Sequence, residues 1–545
     1  MKVNLRILGM LVAPLPIFAL AAPAANATVA PAATGRVVLA DATAAAIANT
    51  HATRTGAASS NQKLGLEISL GLRNQTKLDA FLKNVSNPAS ASYKHYLTVK
   101  QFVAEYAPTQ AQIDQVTAYL KSEGLTVGAL SGNHLTVAAS GTAAQVEKAF
   151  SVSIGTYKTS TQSFIANSTA PSLPAGIASL VTSVAGMSTE ALHTHYAHAS
   201  KEQPNATAHA GTTLTPTLAR QGYNLTTDIS TDSYNGSGKT IALVEFSTYS
   251  ASDVAKYNST YSLGVTAATV VKEDGGSTDN SGQVEDDLDI EVDYALAPKA
   301  TVKVYEAPNS DAGEVALYAG IASADTTVVS SSWGEAENSE NNLTSDEADF
   351  KEMAAQGQTI FAASGDSGAY DDGSTLSVDY PASSPEVSGV AATNLTVTSG
   401  AWASETGWSG SGGGKSDKFT TASYQTSVNS SGYREVPDVT ADGGDSSPWR
   451  IYTEGGWYTV YGTSAAAPNW AAFVADYDTA ATALSKSAFG YGNSEIYTVA
   501  KSSLYSSVFH DITSGNNSYY SAGTGYDMES GWGSYNGGAF IADEL

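Results

Sequence analysis

Tyr461-Gly462-Thr463-Ser464-Ala465-Ala466-Ala467-Pro468 runs directly into Asn469–Tyr477, a stretch that reads as helix. A serine just before a helix sits where unpaired backbone N–H groups and the positive end of the helix dipole point outward. Such donors can stabilise an oxyanion. Gly462 permits a tight turn and the alanines permit close packing. The same place also suits an N-cap serine with no chemical role. Working outward, the sequence from Leu214 alternates short β-rich runs with helical stretches. The runs are Thr240–Phe246, Thr301–Glu306, Val328–Trp333, Thr359–Ser364 and Val387–Thr393; helices are expected at Gln283–Ala297, Glu314–Ala324 and Ser345–Ala355. That alternation predicts an α/β fold, a parallel sheet flanked by helices, with ligand sites at the carboxyl ends of strands.

Upstream, residues 62–187 read as a separate compact α/β module. Leu78, Phe81 and Leu82 mark one helix, and Phe102, Ala104 and Tyr106 lie near the start of a second helical region that continues through Ile113–Glu123. Strand runs at Thr126–Leu130 and His134–Ala138 flank a turn at Gly132–Asn133, and Ala143–Phe150 reads as another helix. Residues 188–213 are polar, hold four histidines, and read as a linker. Residues 28–60, rich in Ala, Thr and Ser, read as a poorly ordered lead-in. At the N-terminus Lys2 and Arg6 precede the apolar run Ile7–Ala21, and small residues follow through Ala25-Asn26-Ala27. This is the order of a secretory signal over residues 1–27, and it predicts an exported, extracellular protein. The run is short and carries Pro14 and Pro16, which argues against a membrane anchor.

The 545 residues are 42% hydrophobic, ample for a large core, and only 15% charged, against a usual share of about 25%. A net charge of −26 excludes nucleic acid as the main partner, because phosphate binding needs a basic footprint. With no cysteine, thiol catalysis, disulfides, iron–sulfur clusters and cysteine zinc sites are excluded. The charge is uneven: residues 1–211 carry 14 Lys and Arg against 9 Asp and Glu, a net of +5, and residues 212–545 carry 13 against 44, a net of −31. The two parts should attract at neutral pH and lose that attraction as carboxylates protonate.

A nucleophilic serine needs a base. Of eight histidines only His510 follows residue 211, in Val508-Phe509-His510-Asp511-Ile512 at the end of an apolar run, where it reads as structural. The base is therefore expected to be a carboxylate. Glu285-Asp286-Asp287-Leu288-Asp289-Ile290-Glu291 opens a helix, and Glu285 and Asp289, four apart, share a face. Two like charges there favour one shared proton and split titrations. The same pattern also fits a solvated acidic face at a helix N-terminus. Asp366, in Ser364-Gly365-Asp366-Ser367-Gly368, follows a strand. Protonated, it could donate a hydrogen bond to an oxyanion; it also fits an ordinary turn, or half of an aspartic-peptidase dyad that would need a symmetric dimer.

Together these residues resemble the sedolisin (serine-carboxyl peptidase) family, and most of all its kumamolisin-type members. The match rests on Glu285-x-x-Leu288-Asp289, Ser364-Gly365-Asp366-Ser367-Gly368 and Gly462-Thr463-Ser464-x-x-x-Pro468. Asn87-Pro88, Tyr93-x-x-Tyr96-Leu97-Thr98 and Tyr106-Ala107-Pro108-Thr109 resemble the family's activation domain. The resemblance implies a subtilisin-like domain behind a ferredoxin-like prodomain, and endopeptidase action in acid on protein or peptide substrates. Ser464 would be the nucleophile, Glu285 its base, Asp289 the residue orienting Glu285, and Asp366 the oxyanion donor. The expected division is a signal at 1–27, an inhibitory prodomain at 28–187, a linker with the activation cleavage at 188–213, and a catalytic domain at 214–545, in a monomeric, self-processing precursor. In acid a histidine is protonated and cannot act as a base, whereas a carboxylate with a pKa of about 4 can.

Asp511-Ile512 and Gly523-Thr524-Gly525-Tyr526-Asp527 supply two carboxylates and a carbonyl-rich loop suited to a hard cation, or simply a glycine-rich turn. The resemblance implies one structural Ca²⁺ held by Asp511, Asp527 and the carbonyls of Ile512, Gly523 and Gly525. Ser409–Ser416 ends like a phosphate loop, but no strand leads into it, so nucleotide binding is not expected. Trp333 fits either a substrate groove or the core. The competing reading of the whole chain is a secreted, calcium-stabilised binding protein on the same fold without activity.

Overall fold

The computed structural model describes residues 35–39, 47, 52–159, 162–191, 193, 194, 196–202 and 213–545. The expected signal segment lies outside the described residues. In the N-terminal module, strands β1 (Lys63–Leu70), β2 (Thr126–Leu130), β3 (Thr136–Thr142) and β4 (Val181–Ala185) form an antiparallel sheet in the order β2-β3-β1-β4. That is the ferredoxin-like arrangement. Helices α1 (Gln75–Val85), α2 (Val99–Glu105), α3 (Gln110–Ser122) and α4 (Ala143–Phe150) accompany it. Thr98, Thr109 and Thr142 each accept from the backbone N–H three residues on, where a glutamine returns the bond, so three helices begin with capping boxes.

The C-terminal domain is built on β5 (Thr240–Glu245), β6 (Thr269–Lys272), β7 (Thr301–Glu306), β8 (Val328–Ser331), β9 (Thr359–Ala363), β10 (Ser388–Thr398), β11 (Ala401–Gly407) and β12 (Val439–Asp442). Their order is β6-β7-β5-β8-β9-β10-β11, with β12 also pairing β10, and every pair is parallel except the β10–β11 hairpin. Helices α5 (Gln283–Leu296) and α8 (Thr463–Leu484) pack together on one face, around Trp449, Trp470 and Phe473. Helices α6 (Asp311–Ala322) and α7 (Leu343–Gln356) cover the other, around Leu317, Tyr318, Phe350 and Met353. The expected subtilisin-like α/β layering is therefore what the chain adopts.

Two differences from the sequence reading bear on function. The run Val328–Trp333 is two strands, β8 in the central sheet and Trp333–Ala336, which leaves it to pair with other segments; Ser332 is the break between them. The stretch 188–213 is not merely a polar linker. His193–Thr194 pairs antiparallel with Trp333–Gly334, and Tyr196–Lys201 pairs antiparallel with the strand Gly456–Gly462. Unpaired strand edges of the C-terminal domain supply the hydrogen bonds that composition alone does not reveal.

The N-terminal module docks on α7 and on residues 490–495. Leu78, Leu82, Phe102, Tyr106 and Leu135 share a core with Ala354, Ala355 and Tyr491. Tyr96 lies over Gly357 and Gly490, where any Cβ would collide with its ring, and its hydroxyl accepts from the Tyr491 N–H at 3.0 Å. Lys94 Nζ is 2.7 Å from Glu495 Oε1, nearly buried, with the Tyr93 hydroxyl on the other oxygen. The attraction expected from net charge has this contact of the expected polarity. Lys351–Asp79 and Arg450–Glu202 also attract, but with the polarity reversed, whereas Glu67 faces Asp274 and Glu273, a like-charge contact.

Candidate active site

Three neighbouring strands of the central sheet deliver polar groups at their carboxyl ends. β5 ends in Glu245, β8 leads to Ser332, and β9 leads through Ser364-Gly365 to Asp366. Glu245 Oε2 accepts from Trp333 Nε1 at 2.8 Å, and the Trp333 ring, 4% exposed, meets Phe246 edge to face. Trp333 is thus a packed, anchored side chain.

The acids of α5 are not a solvated face, since every residue from Val284 to Leu296 is buried. Glu285 and Asp289 lie one turn apart within that buried helix, which lies against α8. Burial pushes Asp289 well above the usual carboxylate range, with the charges of Glu245 and Glu285 adding to it. Burial likewise raises Asp286 and Glu245.

Ser464 is the second residue of α8, fully buried, and its Oγ has no hydrogen-bond partner among the described residues. Its N–H lies in the first turn, among the donors a helix cannot satisfy itself. The Ser332 hydroxyl connects the two helices: it donates to Asp289 Oδ1 at 2.9 Å and lies 3.2 Å from the Ser464 carbonyl oxygen. Beside Ser464, both the N–H and the hydroxyl of Thr463 donate to Asp366 Oδ1, at 2.7 and 2.8 Å. The structure therefore places Asp289 and Asp366 next to the backbone of Ser464, Asp289 through Ser332 and Asp366 through Thr463, with Glu285 a turn away from Asp289.

The Asp366 loop is braced by residues 410–412. The Ser364 hydroxyl donates to the Gly412 carbonyl at 2.8 Å, the Gly412 N–H donates to the Gly365 carbonyl at 2.7 Å, and the Gly368 N–H to the Gly410 carbonyl at 2.8 Å. A Cβ on Gly412 would collide with the Ser364 carbonyl. The glycines of Ser409–Ser416 thus serve close backbone approach, and Gly414–Thr420 continues as a strand rather than a phosphate-binding helix.

His510 stacks flat on Trp402, centroids 4.1 Å apart, and its backbone pairs with Ser534. Burial lowers its pKa to about 4. In the loop beyond it, both oxygens of Asp511 accept from the Gly525 N–H, at 3.0 and 3.2 Å. Asp527 Oδ2 accepts from Gly523 at 2.7 Å, and its Oδ1 from Glu529 and Ser530. Two carboxylates so converge on one stretch of backbone, with open space over Gly523 and Gly525. The donor set of Asp511, Asp527 and nearby carbonyls fits a hard cation.

Sequence reasoning missed Ser332, Thr463 and Glu245. Glu245 carried a usable signal, a lone carboxylate ending an apolar strand; Ser332 and Thr463 carried none beyond adjacency to Trp333 and Ser464.

Residues 50–190 match the family described as Pro-kumamolisin, activation domain, and residues 277–525 match the subtilase family. The chain is 31% identical to Sedolisin of Pseudomonas sp. (strain 101), over 86% of this chain and 84% of that protein. It is 30% identical to Kumamolisin of Bacillus sp. (strain MN-32), over 88% and 91%. The crystal structure of Pseudomonas sedolisin, a serine-carboxyl proteinase, superposes with a TM-score of 0.55 at 28% identity, covering 61% of this chain and 98% of that one.

Proposed function

Because the chain belongs to the sedolisin family and is a serine-type endopeptidase, we propose that it is exported as a self-processing precursor and cleaves proteins in acid through Ser464, Glu285, Asp289 and Asp366. The observation that most supports this reading is the Ser332 bridge between Asp289 and Ser464, with Asp366 bound to the adjoining Thr463.

In this mechanism Ser464 Oγ attacks the peptide carbonyl carbon and its proton passes to the Glu285 carboxylate. Asp289, held by Ser332, orients Glu285. The carbonyl π-electrons move onto oxygen, where the Ser464 N–H and a protonated Asp366 stabilise the charge. Asp379, fully buried, is raised by burial and then by the charge of Asp366, so ionising both acids together is costly. As the oxyanion electrons return, the C–N bond breaks and Glu285 gives its proton to the departing amine; water then attacks the acyl carbon, its proton passing to Glu285, and the C–Oγ bond breaks as Glu285 returns that proton to Ser464 Oγ.

Residues 28–187 serve as inhibitory prodomain, 188–213 as the linker carrying the activation cleavage, and 214–545 as the catalytic domain. The linker's antiparallel pairing beside Trp333 and beside Gly462, two residues before Ser464, supports this; the first cut is expected between Thr194 and Tyr196. One Ca²⁺ on Asp511, Asp527 and the carbonyls of Ile512, Gly523 and Gly525 would neutralise two acids and tie residues 511–527 together.

The test is Glu285→Gln against His510→Gln, each measured on folded protein from acid to neutral pH. An amide cannot take the serine proton, so the glutamate variant should lose turnover and self-processing while the histidine variant keeps both. An active Glu285→Gln with a dead His510→Gln would make this a conventional serine–histidine enzyme and overturn the carboxylate mechanism.

A further inference from the structure

Glu314, Glu340 and Asp346 take no part in the mechanism above or in the 511–527 loop. Glu314 comes from the first turns of α6, Glu340 from the loop after Trp333–Ala336, and Asp346 from the first turn of α7. They are 3%, 7% and 0% exposed. One carboxylate oxygen from each lies within 4.8 Å of the other two. Two oxygens on one Ca²⁺, each at about 2.4 Å, are at most about 4.8 Å apart, so the three fit a single coordination sphere.

A second observation points the same way. Both oxygens of Asp346, fully buried and facing this cluster, have no hydrogen-bond partner among the described residues. A buried carboxylate left so is costly unless a proton or a cation answers it. None of the ion pairs among the described residues reaches any of the three acids. The charged groups facing the cluster from packed elements are acids as well: Asp311 on α6, Glu335 on the preceding strand, Glu347 and Asp349 on α7, and Glu190 at the start of the linker. Asn342 holds the ring from outside. Its backbone N–H donates to Glu340 Oε1, and its side-chain amide donates to Glu314 Oε2 at 2.9 Å and to the Asp311 carbonyl at 3.2 Å. Such outer partners fix ligand orientation in metal sites.

We propose that Glu314, Glu340 and Asp346 form a second divalent-cation site, taking Ca²⁺ through carboxylate oxygens. The ion staples the loop that follows Trp333–Ala336, the strand on which the linker lies, to the starts of α6 and α7.

The test uses the full-length precursor carrying Ser464→Ala, which prevents self-cleavage. It is stripped with a chelator at neutral pH, reloaded with CaCl₂, desalted, and its calcium counted by atomic emission. Asp346→Asn, which keeps the side-chain shape, should hold one equivalent fewer than its parent, and so should Glu340→Gln at the edge of the cluster. Adding Asp527→Asn to the parent should leave the equivalent that Asp346→Asn removes. Equal calcium in parent and Asp346→Asn overturns the proposal. If Asp346→Asn fails to fold, unchanged calcium in Glu340→Gln overturns it instead. A parent that retains no calcium overturns it outright, leaving protons as what the acids share.

Discussion

The Ser332 hydroxyl donates to Asp289 while lying against the Ser464 carbonyl, so one small side chain sets the spacing between the acid helix and the serine helix. Ser332→Ala should leave substrate binding nearly intact and lower kcat. A net hydrogen bond is worth about 1–1.5 kcal/mol, so the fall is roughly tenfold. Steady-state kinetics check this: a raised KM at unchanged kcat would make Ser332 a binding residue. Asp366→Asn should cost about 10²–10³ in kcat, the usual loss for one oxyanion donor, with little change in KM. At this scale the sequence pattern picks out Ser464, Asp289 and Asp366 as candidates, and the fold brings the three into one neighbourhood. The pattern was silent where a residue acts only through a contact made by the fold. Ser332 is an ordinary strand-end serine until α5 and α8 close on it.

Helix α5 shows what a whole element contributes. Its acids are sealed in the core, and α7 and α8 bury more. Burial raises Asp287 to about 7, Asp349 to about 8 and Asp478 to about 6. Each binds its proton more tightly folded than unfolded, so its contribution is complete below an unfolded pKa of about 4 and is lost as pH rises through 6–8. His510, lowered to about 4, works the other way below pH 6.5 but is one group among many. The melting temperature should therefore rise as pH falls from 8 toward 5. Thermal unfolding at fixed salt and calcium tests this, and a flat or opposite profile would show that these carboxyls are not buried as drawn. Element positions were mostly legible, since β7 and α4 begin and end where their patterns do. The start of α6 was not: Ser310 caps it through the Gly313 N–H, three residues before the apolar pattern begins. The linker strands were also illegible, because their pairing partners lie far along the chain, Gly334 opposite His193 and Gly462 opposite Tyr196.

For the whole molecule, the two modules are joined as much by Tyr96 as by charge. Its half-buried ring fills the space over Gly357 and Gly490, and losing it should cost less than the roughly 3–5 kcal/mol typical of a fully buried aromatic. Tyr96→Ala should therefore loosen the prosegment and speed precursor processing near neutral pH, read by the appearance of mature chain on a gel. A precursor that processes at its parent's rate would remove Tyr96 from the docking account. The Lys94–Glu495 pair weakens as acid protonates Glu495. The contact of Glu67 runs the other way: burial first, then Asp274 and Glu273, raise it to about 8, so it repels only as pH climbs toward that value. Net charge therefore did not foretell how docking responds to pH.

In the proposed mechanism the linker is anchored near the nucleophile Ser464 along two strands, Trp333–Gly334 and Gly456–Gly462, within the same polypeptide. A bond delivered this way meets its nucleophile without any encounter between molecules, at an effective concentration no dissolved substrate could match. The first cut should then be a unimolecular event. Its half-time would stay constant as the precursor is diluted, and an inactive Ser464→Ala precursor mixed with active enzyme would be cut only after its own linker had left the cleft.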